Sequence, residues 1–146
     1  MAVNTDSEEN QDPRTSKYMQ RSKADTLALM HNTAEYLDLL KNGEIDKALD
    51  KLYVASGDTV LPIPAQKKEE IRNLVTLFPV LDYKIDSILM FSETDTEVRY
   101  TIEFFEKEEN DPRQNTMQCV LNPRRVGYYW YLTISDRSVE TDYQNN

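Results

Sequence analysis

The apolar positions change rhythm once along the chain. From Ser22 they recur at helical spacing: Leu27, Met30, Ala34 and Leu37 share one face, and Leu29, Tyr36 and Leu40 widen it. His31, Glu35 and Asp38 fall opposite. Asn42-Gly43 predicts a left-handed stop, because glycine has no Cβ to clash there. A second helix is predicted on the stripe Ile45, Ala48, Leu49 and Leu52, ended by Gly57. Asp58 to Ile63 reads as an extended connection, since Pro62 and Pro64 exclude helix around them. A third helix is predicted over residues 65–77, with Ile71, Leu74, Val75 and Phe78 inward and Pro79 as its terminator.

Beyond Pro79 the period becomes two, the signature of pleated strands with one buried face. Tyr83, Ile85, Ser87, Leu89 and Phe91 alternate with Lys84, Asp86, Ile88 and Met90. Val98, Tyr100, Ile102 and Phe104 alternate with Arg99, Thr101, Glu103 and Phe105. Met117, Cys119 and Leu121 alternate with Thr116, Gln118 and Val120, and Gly127 leads into a last strand from Tyr128 to Ile134. Short polar loops such as Asn110-Asp111-Pro112 and Asn122-Pro123 join them, which predicts antiparallel pairing. The predicted class is therefore α+β, with three N-terminal helices packed on an antiparallel sheet of about four long strands. Residues 1–21 and 136–146 are polar and predicted as tails, leaving 22–135 as one domain.

Charge narrows the partners. The chain has 146 residues and a formal net charge of −9, a field that disfavours nucleic acid and anionic lipid surfaces. No apolar run approaches the ~20 residues of a membrane helix, so no direct membrane insertion is expected. The opening residues lack a charged-then-apolar leader, which predicts a cytoplasmic location, or the cell envelope if a signal precedes them in the gene.

Residue inventory narrows the chemistry. Cys119 is the only cysteine, so neither an intrachain disulfide nor a thiolate metal cage is expected. Three glycines, none clustered, exclude a phosphate-cradling loop, and no cofactor is expected. The sole histidine, His31, has Glu35 one turn away, but two ligands without a third describe a solvated helix face better than a metal site. Arg124 and Arg125 fall in the turn before the last strand, either as an ordinary surface pair or as a rim for an anionic group.

Three local features carry a family resemblance. The run Tyr36-Leu37-Asp38-Leu39-Leu40-Lys41-Asn42-Gly43-Glu44-Ile45-Asp46-Lys47-Ala48-Leu49 gives helix, glycine-acidic step, then helix. Three helices precede a meander of long strands. Gly127-Tyr128-Tyr129-Trp130-Tyr131-Leu132-Thr133-Ile134 closes the chain with a glycine-then-tryptophan strand. Together they resemble the nuclear-transport-factor-2-like superfamily of cystatin-like, cone-shaped domains. The resemblance implies a curved sheet wrapped on the helices, with a pocket at the open end of the cone.

Tyr36, Tyr53, Tyr83, Tyr100 and Trp130 are the expected pocket residues, facing a small apolar ligand. The family's isomerases need a carboxylate base among such groups, yet Asp38 and Asp86 both fall on polar faces by period. The expected function is thus a non-enzymatic small-molecule-binding or protein-interaction domain. A small isomerase or dehydratase acting on an apolar carbonyl compound is the alternative, and an envelope-anchored accessory domain a third reading. If Trp130 and Leu132 point toward the helices, Phe105, Gln118, Tyr129, Tyr131 and Thr133 point away. Aromatics among polar groups on an outer face predict a sheet-to-sheet homodimer, an expectation the family also supports.

Overall fold

The computed structural model describes residues 13–92 and 94–134, with side chains from Lys23 onward. Its elements are α1 (Pro13–Lys41), α2 (Ile45–Leu49), β1 (Leu52–Ser56), β2 (Thr59–Pro62), α3 (Ala65–Leu77), β3 (Asp82–Ser92), β4 (Asp95–Glu103), β5 (Thr116–Leu121), β6 (Arg124–Val126) and β7 (Tyr129–Ile134). The class is α+β. Of the tails expected at 1–21 and 136–146, residues 1–12 and 136–146 lie outside the described residues, while 13–21 are corrected from tail to the first turns of α1.

α1 stops where glycine permits it. Gly43 takes φ +81°, Glu44 N–H donates to Leu39 O (2.8 Å) and Gly43 N–H to Leu40 O (3.1 Å), a doubly bonded cap on the last carbonyls. The buried stripe of α1 is Leu29, Thr33, Tyr36, Leu37 and Leu40. Leu27 and Met30, expected on that stripe, are 65% and 43% exposed. The rotation has a visible cause: Trp130 donates its indole N–H to Asp25 Oδ1 (3.1 Å), and its carbonyl accepts from Asn32 Nδ2 (3.1 Å). Those tethers turn the 25/29/32/36 line toward the sheet, and Leu27 sits off it.

The second predicted helix is corrected. α2 ends at Leu49, and Leu52 opens a strand instead of continuing the helical stripe. Leu52-Tyr53-Val54 and Thr59-Val60-Leu61 are β-branched or aromatic-rich runs around Gly57-Asp58. Ser56 pairs with Thr59 across that two-residue turn, and Gly57 supplies the required positive φ of +60°. A hairpin therefore interrupts the helices, and the segment expected as a connection is β2.

The strands form two sheets rather than one meander, in the orders β2-β1-β7-β6 and β3-β4-β5. Pairing is antiparallel except for β1 with β7, which run parallel with Leu52 opposite Leu132. Asn122 N–H donates to Thr133 O (2.7 Å), continuing the register that pairs Arg124 with Tyr131. Between them sits buried Pro123, which has no N–H to offer a ladder. One backbone hydrogen bond thus links the sheets across a proline break.

β3 carries a register shift between Ile85 and Ser87. An extra residue reverses the parity of everything after it. Tyr83, Ile85, Ile88 and Met90 consequently pack on the core, while Phe91, expected inward, is 68% exposed. In β4 and β5 the predicted alternation holds: Val98, Tyr100, Ile102 and Leu121 are buried and Met117 and Cys119 pack against them. Each fully buried leucine or valine in this core contributes roughly 1.5–3 kcal/mol from removal of apolar surface.

Candidate functional site

Between α1 and the β3-β4-β5 sheet, Tyr36 and Tyr100 meet at their hydroxyls with the Cys119 thiol beside them. Register explains the meeting, since Tyr100 is paired with Cys119 and both project to the α1 side. Burial is the largest cause raising both phenol pKa values, and the Cys119 thiol adds to it in each. Both phenols stay protonated and act as neutral hydrogen-bond groups filling the interior. Cys119 is a partly buried thiol, and its Sγ lies 3.9 Å from Met117 O.

The other expected pocket residues disperse. Tyr83, on β3, donates its hydroxyl to Asp38 Oδ1 of α1 (2.9 Å), and its pKa is pushed up to about 12 by burial and then by that carboxylate. Trp130 is 3% exposed and ties β7 to α1. The same Asp25 faces Arg125 (3.7 Å), so one helix carboxylate fixes both β6 and β7. Tyr53 lies on the opposite side of the sheet from Leu52, a consequence of β1 replacing helix. Only Tyr36 and Tyr100 come together. Neither lines the clefts that open beside Phe104, Asn110, Lys51 and Asn122.

The outer face of β2-β1-β7-β6 is a tyrosine surface. Tyr53 and Tyr131 meet edge to face with centroids 4.8 Å apart, and Tyr131 meets Tyr129 at 4.7 Å. Such contacts orient the rings as well as covering apolar area. Arg124 and Val126 pair with Tyr131 and Tyr129, and Pro62 and Val60 pair with Tyr53 and Ala55, on the same face. The described strand positions of this face carry no acidic residue, and Glu35 and Asp50 line a cleft beside it with Tyr53 and Tyr129. Tyr129 is 51% exposed, and Tyr128, in the adjoining turn, is 97% exposed.

The predicted interface set is only partly gathered there. Tyr129, Tyr131 and Thr133 share β7, but Thr133 is buried and its hydroxyl donates to Tyr131 O (3.2 Å). Gln118 belongs to the other sheet. Phe105 lies past the end of β4, with the Arg113 guanidinium 4.5 Å over its ring.

A cleft that the sequence pattern does not predict opens where α3, β4 and β5 approach. It encloses about 490 Å³ and is lined by Phe78, Thr101, Phe104, Gln114, Thr116, Met117 and Gln118. Phe78 and Phe104 meet edge to face at 5.0 Å, and Phe104 continues to Phe105 at 5.5 Å. Among the described residues no ionisable side chain lines it. Its size falls in the ordinary range for small-molecule sites. The only signal in the sequence was Phe104-Phe105 breaking the strand alternation beside Glu103.

Among the described residues no helix is long and apolar enough to cross a membrane, and no three metal-ligating side chains converge. No protein-family model, curated protein or solved structure matches the chain.

Proposed function

We propose that this chain is a non-enzymatic interaction domain of the nuclear-transport-factor-2-like type that pairs with a second copy of itself through the tyrosine face. The carrying observation is that the described outward strand positions of that face carry no carboxylate, in a chain of net charge −9. Self-repulsion between two such chains is least where the contact surface carries no acidic group. Exposed Tyr128 and Tyr129 supply rigid aromatic anchors of the kind that dominate interfaces. The cone reading draws support from the Asn122 N–H to Thr133 O bond, which joins the end of β5 to β7.

Sedimentation equilibrium tests the pairing. The native chain should run at twice its monomer mass, and Tyr129→Glu with Tyr131→Glu at the monomer mass. A native monomer at all concentrations overturns the proposal.

A second reading concerns small molecules. The cleft of Phe78, Phe104 and Met117 has an aromatic floor with a rim of neutral hydroxyls and amides, which suits an uncharged, partly apolar ligand. Without a carboxylate in its lining it supports binding in preference to proton abstraction. Indole, as a probe, should raise the melting temperature of the native chain and not of Met117→Lys. Equal shifts in both proteins exclude this cleft.

A further inference from the structure

The two arginines before β7 have separate fates. Arg125 faces the helices, where its Nη1 lies 3.7 Å from Asp25 and its Nε donates to Gly127 O (3.1 Å). Arg124 faces outward opposite Tyr131. Arg72, Arg99, Arg113 and Arg125 all pair with carboxylates, whereas Arg124 has no carboxylate partner among the described residues. It is nonetheless half-buried. A half-buried guanidinium is partly desolvated and gains from an anionic neighbour.

Arg124 lines a cleft of about 250 Å³ with Val54, Ala55, Thr94, Asn122, Thr133 and Ile134. Buried Pro123 fixes the chain direction from which Arg124 emerges. Asn122 spends its backbone N–H on Thr133 O, leaving its side-chain amide without a partner among the described residues. The floor is aliphatic: Val54, Ala55 and Ile134. A fixed cation, a neutral amide and hydroxyl, and a short apolar wall sit together. We propose that this cleft is a binding site for a short aliphatic carboxylate, with the carboxylate on Arg124 and Asn122 and the alkyl chain on Val54 and Ile134.

Charge selects carboxylate over phosphate. Arg124 is the only cation in the lining among the described residues, and a dianion would enter the field of a chain of net charge −9 with one guanidinium to meet it. A guanidinium matches a carboxylate by two parallel hydrogen bonds. The site borders the proposed self-association surface, with which it shares Ala55, Arg124 and Thr133. It lies at the Ile134 end of β7, and Tyr129 lies at the other, ~17 Å away along an extended strand.

The test is a titration of the full chain with sodium hexanoate, followed by backbone and side-chain amide shifts. Hexanoate should move Thr94, Asn122 and Ile134 in a saturable way. Hexanol and inorganic phosphate, at matched ionic strength, should not. Arg124→Gln should weaken hexanoate roughly ten- to hundredfold, the loss of one charge-assisted hydrogen-bonding partner. Asn122→Ala serves as the second variant if Arg124→Gln does not fold, and should weaken binding by a smaller factor. Phosphate binding as tight as hexanoate overturns the carboxylate assignment. Absence of saturable hexanoate shifts, or equal affinity in the variants, overturns the site.

Discussion

The outward sides of the two sheets are built from different materials. On β3-β4-β5 the register places Lys84, Asp86, Glu97, Arg99, Thr101, Glu103 and Gln118 outside, and several pair among themselves: Lys84 with Asp86 (3.6 Å), Arg99 with Glu97 (2.9 Å), and Thr101 with Asp86 (2.6 Å). On β2-β1-β7-β6 the outward positions are Tyr53, Ala55, Val60, Pro62, Arg124, Val126, Tyr129, Tyr131 and Thr133. The first is a solvated surface whose exposed ion pairs add little stability. The second leaves rings in water that stack on one another. The proposed pairing uses the second face, whose described strand positions carry no carboxylate.

The difference depends on β7 being held flat against α1. Trp130→Ala removes the packed indole and its bond to Asp25, and should cost about 3–5 kcal/mol in chemical denaturation. A loss under about 1 kcal/mol would show that the tyrosine face does not depend on this tie. Beneath the charged sheet, Tyr36→Phe leaves the Tyr100 hydroxyl only the Cys119 thiol as partner and should cost about 0.5–1.5 kcal/mol; an unchanged midpoint would mean the phenols do not support each other.

Alkaline titration separates the interior tyrosines from the outer ones. Tyr36, Tyr83 and Tyr100 have folded pKa values raised above the ordinary 10.0, chiefly by burial. Their contribution is therefore complete below about pH 10. It declines as pH rises through that value, because the unfolded chain then releases protons that the folded chain retains. For Tyr83 the decline should level off near its folded value of about 12. Tyrosinate absorbance should report Tyr36 and Tyr100 only on unfolding. Their titration in the folded chain near pH 10 would contradict their burial.

The smallest effect has the opposite sign. Thr33 is fully buried on α1 and its Oγ1 has no hydrogen-bond partner among the described residues. Thr33→Val keeps the shape, removes the orphaned hydroxyl, and should stabilise by about 1 kcal/mol. A destabilised variant would mean that the hydroxyl has a partner in solution.

Much of this layout was legible in the sequence, and the misses share a cause. Period two found β4 and β5, and Gly43 marked the end of α1, because these signals are local. β3 misled because one extra residue near Asp86 flips all later side chains, which alternation by itself cannot register. The β1-β2 hairpin was hidden by Leu52, which fits a helical stripe and a strand equally well, although Gly57-Asp58 between β-branched runs marked the turn. Which side of α1 faces the core was decided by Trp130, some hundred residues away in the chain, and no helical period contains that information. The candidate sites were least legible. Tyr36 and Tyr100 did meet, but the clefts are assembled from loop ends and strand ends that only tertiary pairing brings together.

The contrast between the faces is tested most directly by amide spectra recorded over a concentration series. As the chain pairs, Tyr53, Ala55, Tyr129 and Tyr131 should shift together along one binding curve, while Lys84, Arg99 and Gln118 remain fixed. Shifts confined to Lys84, Arg99 and Gln118, or none on either face, would contradict the assignment of the tyrosine surface as the meeting place of two copies.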